Sequence, residues 1–141
     1  FWYIFLAQEK KIFIHYEKER DVVAMADEMK LTLAIANLVD NAIKYTPENG
    51  SVVINLDADH QNAFISVADT GIGIPDTEVG RIFERFYRVD KTRDRETGGT
   101  GLGLSITHST IMMHNGSIKV YSKEEEGTTI LVRIPIRQSV L

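Results

Sequence analysis

The chain has 141 residues, enough for one domain with a substantial core. Apolar residues at 43% and charged residues at 26% are ordinary for a soluble globular protein, and a formal net charge of -4 leaves no basic excess to neutralise nucleic-acid phosphates, which argues against a nucleic-acid partner. There is no cysteine, which excludes disulfides, thiolate metal sites and cysteine nucleophiles together and is compatible with a cytosolic setting.

Residues 1–6, Phe-Trp-Tyr-Ile-Phe-Leu, are apolar but far short of the roughly 20 needed to span a bilayer. They carry neither a charged leader nor a cleavage site, and residues 1–10 read as the end of a helix cut from something longer. Residues 11–16 read as a strand and 22–25 as a second short one. His15, between a β-branched residue and an aromatic, reads as structural. Asp27 is the expected N-cap of a long helix ending near Tyr45, with Pro47, Asn49 and Gly50 as the stop. On that helix Leu31, Ile35, Leu38 and Ala42 form an apolar stripe that faces the core. Asn37, Asn41, Lys44 and Tyr45 fall at i, i+4, i+7 and i+8 and form a second stripe beside it. Amides offer oxygens to a hard cation and a lysine offers a point charge to phosphate, although the same stripe could be a plain solvated face.

Residues 51–56 and 63–68 read as two strands of an antiparallel hairpin. The second runs into Asp69-Thr70-Gly71-Ile72-Gly73-Ile74-Pro75, where glycines spaced by one residue let the backbone turn and approach a ligand. A carboxylate at a strand end is costly unless something donates to it. The exocyclic amine of a purine would serve; so would the residue's own backbone, in an Asx-type turn. Residues 76–86 have helical spacing, with Asp76 as N-cap and Val79, Ile82, Phe83 and Phe86 on one side. Residues 87–97 lose all apolar periodicity and read as a mobile charged loop, either a lid or plain solvated chain.

Gly98-Gly99-Thr100-Gly101-Leu102-Gly103-Leu104 then feeds a helix over 105–114, with Leu104, His108, Ile111 and Met112 expected inward. Exposed N–H groups and the positive end of the helix dipole make such a junction an anion site. It is neither a P-loop, lacking the Gly-Lys-Ser/Thr ending, nor a dinucleotide fingerprint, since no strand directly precedes it. His108 and His114 are wrongly spaced for a helical metal pair and read as structural. Asn115-Gly116 closes the helix, and residues 118–122 and 129–134 are two more strands joined by the acidic turn 123–127. Pro135 ends the domain and the last residues look like a tail.

Taken in order, these motifs resemble the catalytic, ATP-binding domain of sensor histidine kinases over nearly the whole chain. The segment 37–45 resembles the N box of that family, 69–73 its first glycine box, 83–88 its F box and 99–104 its second glycine box. The resemblance implies an α/β two-layer sandwich, the Bergerat or GHKL fold, with a mixed, mostly antiparallel sheet and helices on one face. It implies a single domain over residues 1–141 with its core at about 11–135, an ATP lid at 87–100 and a tail at 136–141. It further implies ATP and Mg²⁺ as cofactors. Asn41 would ligate Mg²⁺, with Asn37 one turn away, Lys44 would pair with phosphate and Tyr45 would flank the nucleotide. Asp69 would accept from the adenine amine, Gly71 and Gly73 would pass the base, and Ile74 would wall it. Gly99, Thr100, Gly101, Leu102, Gly103 and Leu104 would hold the phosphates, and Arg88 would be a lid cation.

No segment here resembles the family's phosphoacceptor motif; His15 is followed by Tyr16-Glu17-Lys18. The expected partners are therefore a separate phosphoacceptor and dimerisation helical domain of the same parent protein and, downstream, a response regulator. The fragment would be monomeric, and the parent a membrane-anchored homodimer with this domain in the cytoplasm. The alternatives are a nucleotide-binding switch and an ATPase of the same fold that phosphorylates no histidine.

Overall fold

The computed structural model describes residues 10–18, 26–84 and 103–136. Within them five strands and two helices form one sandwich. The strands are β1 (Phe13–Lys18), β2 (Ser51–Ala58), β3 (Asn62–Asp69), β4 (Ser117–Lys123) and β5 (Gly127–Pro135); the helices are α1 (Glu28–Lys44) and α2 (Gly103–Met113). The sheet order is β1-β2-β3-β5-β4, with β1 parallel to β2 and every other pairing antiparallel. A parallel pair needs a long crossover, and α1 lies in the segment that supplies it. The expected mixed, mostly antiparallel sheet is thus present, as is the 51–68 hairpin, with its turn tightened to the residues between Ala58 and Asn62.

The core lies between one sheet face and the two helices. Val52, Ile54, Ile65, Val67, Ile130, Val132 and Ile134 project inward by the period-2 rule and meet Leu38, Ala42 and Ile111. Leu31 and Ile35 pack against this cluster part-buried, so the apolar stripe of α1 faces the core as expected. Asp27 caps α1, its side chain accepting from the Lys30 N–H. At the far end of α2, Asn115 takes φ 60° while the Asn115 and Gly116 N–H groups donate to Met112 and Ile111 carbonyls, which is a Schellman closure. His114 is buried and uses both ring nitrogens, on the Thr110 carbonyl and on the Asp27 N–H, so its role in this fold is structural.

Three expectations are corrected. The first strand begins at Phe13, because Lys11 sits at φ 58° and its carbonyl accepts from Asn49 in a turn. The helix expected from residue 76 is, among the described residues, a single 3₁₀ turn, Val79–Arg81, with no capping side chain. Thr77, Val79 and Gly80 are poor helix formers, and this short segment buries only Ile82 deeply, too little to offset helix nucleation. Met112 is exposed, not inward. The hidden face of α2 is Ser105, Thr107, Thr110 and Ile111; Ile111 joins the core, and the Thr107 hydroxyl donates to the Ala34 carbonyl of α1 at 3.1 Å. The parts of the expectation on residues 1–9, 22–25 and 85–102 lie outside the described residues.

Candidate nucleotide site

Three pieces of chain meet at one end of the helical layer. The first is the last two turns of α1, with Asn37, Asn41, Lys44 and Tyr45 all half-buried. The second is the loop after β3. Its Ile72 N–H donates to the Tyr45 carbonyl at 3.2 Å, and Gly71 lies so close that a Cβ there would stand 2.4 Å from the same oxygen. The third is the start of α2, where the Asn37 side-chain amide reaches the Gly103 carbonyl at 3.5 Å. Leu104 is part-buried against the core and fixes the first turn of α2 beside α1. Tyr45 is therefore a neighbour of Gly71 and Ile72, and Asn37 of Gly103, which lies 66 positions away. Arg88, Gly99, Thr100, Gly101 and Leu102 lie outside the described residues.

Asp69 is half-buried at the end of β3. Its Oδ1 accepts from the Gly71 N–H at 2.8 Å, an Asx turn, and from the Thr128 N–H of β5 at 3.2 Å. Its Oδ2 receives no hydrogen bond among the described residues. Burial pushes the carboxyl above its ordinary value of 3.8, and the Gly71 and Thr128 N–H groups pull it part of the way back. Both roles weighed for this acid are thus compatible: one oxygen shapes the loop and the other is left to a donor.

Lys44 pairs with Asp40 at 3.2 Å, an i,i+4 contact that holds the ammonium along the helix. Lys10 reaches the last carbonyls of α1, donating to Ile43 at 2.9 Å and Lys44 at 2.5 Å. The Ile74 N–H is held by the Ser122 hydroxyl at 2.8 Å. Phe83, at the start of the F-box segment, stacks on His108 of α2 with centroids 5.3 Å apart. The Asp40 partner is an i−4 acid readable from the sequence; the Thr128 and Ser122 contacts depend on strand register, which the sequence does not display.

The donor set suits a cation brought in by a ligand. No group of three or more His, Asp or Glu among the described residues could hold a metal alone. The Asn41 amide makes no hydrogen bond among them either, and an amide oxygen suits Mg²⁺, which keeps few protein ligands and takes the rest from phosphates and water.

Residues 26–138 match the family described as histidine kinase-, DNA gyrase B-, and HSP90-like ATPases. The chain belongs to this ATPase family. It is 43% identical over 128 residues to the sensor histidine kinase WalK of Bacillus subtilis (strain 168), covering 89% of this chain and 21% of that protein. This member thus spans about a fifth of the length of that relative. Among solved structures, the nucleotide-free catalytic domain of histidine kinase ThkA superposes with a TM-score of 0.83 at 30% identity, covering 96% of this chain and 88% of that one. Full-length ShkA in complex with AMPPNP superposes with a TM-score of 0.79 at 30% identity, covering 96% of this chain and 28% of that one. The two-layer sandwich is therefore the fold of histidine kinase catalytic domains, and the domain is of the ATP-binding type.

Proposed function

We propose that this ATPase-family domain binds Mg-ATP and transfers the γ-phosphoryl group to a histidine on a separate helical domain of its parent protein, for relay to a response regulator. The observation that carries this reading is the meeting of α1, the Asp69 loop and the start of α2: the Tyr45 carbonyl bonds the Ile72 N–H, and Asn37 reaches Gly103. The naming of relatives as sensor histidine kinases, and AMPPNP in the complex with ShkA, support the same choice. It is favoured over a hydrolase of the gyrase type, which would carry a catalytic acid on this helix where Asn37 stands.

When bound, Mg-ATP supplies the transferable phosphoryl group and most of the charge to be balanced. Asp69 accepts from the adenine amine through its free oxygen, while Gly71 and Gly73 keep the loop thin enough for the base to lie against it and Ile74 walls it. Asn41 offers its amide oxygen to the cation, with Asn37 a turn away. Lys44 turns from Asp40 toward phosphate, and Tyr45 flanks the nucleotide. The N-terminal end of α2, with Gly103 and Leu104, presents amides to anionic oxygens, joined by Gly99, Thr100, Gly101 and Leu102. Arg88 serves as a lid cation within a lid at 87–100. Catalysis here is mainly positioning and electrostatic, so Asn37, Asn41, Lys44 and Arg88 act by holding groups in line. The nucleophile comes from the other domain, in a parent expected to be a membrane-anchored dimer.

Mixing this chain with the phosphoacceptor domain of its parent and γ-labelled ATP tests the reading. Acid-labile, alkali-stable label on the acceptor, absent without this chain, is the expected result. Nucleotide binding with no transfer would leave a nucleotide-gated switch instead.

A further inference from the structure

One row of side chains crosses the inner sheet face where the purine-side loop begins. The register sets Asp69 opposite Thr128 and Thr128 opposite Ser122; in the other direction the row continues as Val52 and Ile14. The row is thus apolar over two strands and polar over three. Ser122, half-buried on the edge strand β4, is the last residue of its polar end. Its Oγ accepts the Ile74 N–H at 2.8 Å, donates to the Gly127 carbonyl at 3.1 Å, and lies 2.8 Å from Thr128 Oγ1. With its proton on the Gly127 carbonyl, the Thr128 hydroxyl donates to Ser122, and the one donor and two acceptor positions of the serine are all used. The Thr128 N–H in turn donates to Asp69 Oδ1. Ser122 therefore touches both the chain leaving Asp69 and the strand start that delivers an amide to it.

Main-chain contacts run along the same seam. The Glu125 N–H donates to the Ile72 carbonyl at 2.6 Å. Gly73, at φ 71°, faces the Lys123 carbonyl so closely that a Cβ would stand 2.1 Å away. These contacts lay the loop against the β4–β5 hairpin; the Ser122 hydroxyl fixes its rotation.

We propose that Ser122 is a positioning residue for purine selectivity, locking the Asp69 loop to the mouth of the β4–β5 hairpin so that the carboxylate faces the exocyclic amine. The inference rests on the reading of Asp69 given above. Among the described residues Ser122 bonds only the Asp69 loop and the β4–β5 hairpin, so its removal is expected to act on the base and spare the triphosphate.

Calorimetric titration with ATP and inosine triphosphate, which carries a carbonyl in place of that amine, tests it on the intact chain. Ser122→Ala should weaken ATP about fivefold and leave inosine triphosphate within about twofold, the loss of roughly one hydrogen bond's worth of alignment. Ser122→Thr, which keeps the hydroxyl and suits a strand, should restore the ATP preference. A hydroxyl that served the fold alone would lower the melting temperature and weaken both nucleotides equally, and that result overturns the inference. Asp69→Asn is measured beside it. Should Asp69→Asn lose the ATP preference while Ser122→Ala keeps it, the inference fails and the role of Asp69 stands; should Asp69→Asn keep it, both fall. If Ser122→Ala does not fold, Ser122→Cys, close in size and a weak hydrogen-bonding group, carries the same comparison.

Discussion

Asp69 works against the fold that houses it. Burial raises its pKa above 3.8, and the two N–H donors on Oδ1 only partly offset this. A folded-state pKa above the unfolded one means the native protein holds that proton more tightly. The stability linked to the protonated form is fully present below the unfolded pKa and is lost as pH rises through the folded one. At pH 7 the ionised acid therefore costs stability. Asp69→Asn should resist denaturant better than the parent at pH 7, with the gap closing as the pH falls through the raised pKa toward 3.8. The same substitution should weaken ATP about ten- to a hundredfold, by loss of a charge-assisted hydrogen bond and a clash of two donors. Denaturant titrations at two pH values and calorimetry read the two effects separately; a less stable variant at pH 7 would refute the cost. Asn41→Ala isolates the metal: Mg-ATP should weaken at least about tenfold while metal-free ATP changes by less than about twofold, since alanine keeps the helix at least as well. Equal losses would remove Asn41 from the cation. The placement of these residues was legible because the spacing of Asn37 and Asn41 puts them on one helix stripe and Asp69 ends a strand pattern. The two donors on Asp69 were legible only in part: the Gly71 N–H is two residues away, whereas the Thr128 N–H arrives from 59 residues downstream.

At the scale of elements, pattern spoke clearly where burial is one-sided. The 3.6 period of α1 and the alternation in β2, β3 and β5 follow from a core on one side of each. Pattern failed at 76–86, where the spacing of Val79, Ile82 and Phe83 suits a helix and equally a short 3₁₀ turn with one buried isoleucine. It failed again on α2, because a close helix–helix contact buries hydroxyls that look like a solvent face and leaves Met112 out. The loop after β3 gives the sharpest element-level test. Gly73 combines φ 71° with a backbone carbonyl where a side chain would go. Gly73→Ala must move the loop off the β4–β5 hairpin, with an expected stability loss of about 1–3 kcal/mol and weaker ATP binding. Gly80→Ala, at a position open to solvent, should change neither, and thermal melts of the pair compare them directly.

Over the whole molecule, nucleotide and fold are linked by mass action. Mg-ATP at a hundred times its dissociation constant should add about 2.7 kcal/mol, a rise in melting temperature of roughly 5–10 °C for a domain of this size. Asp69→Asn at the same nucleotide concentration should show much less of that rise, because its occupancy is lower; scanning calorimetry with and without ligand measures it. The sheet order itself was not legible in the sequence. The sequence shows which segments are strands, but the placement of β5 between β3 and β4 is what sets Thr128 beside Asp69, and only tertiary packing decides that.

Lys10 gives the architecture a mechanical side. Its ammonium grips the final two carbonyls of α1, next to the residue whose own carbonyl holds the Asp69 loop. Three residues later the chain enters the sheet edge. A pull or twist applied at residue 10 would pass through these two bonds into the helix end that carries Asn41 and Lys44.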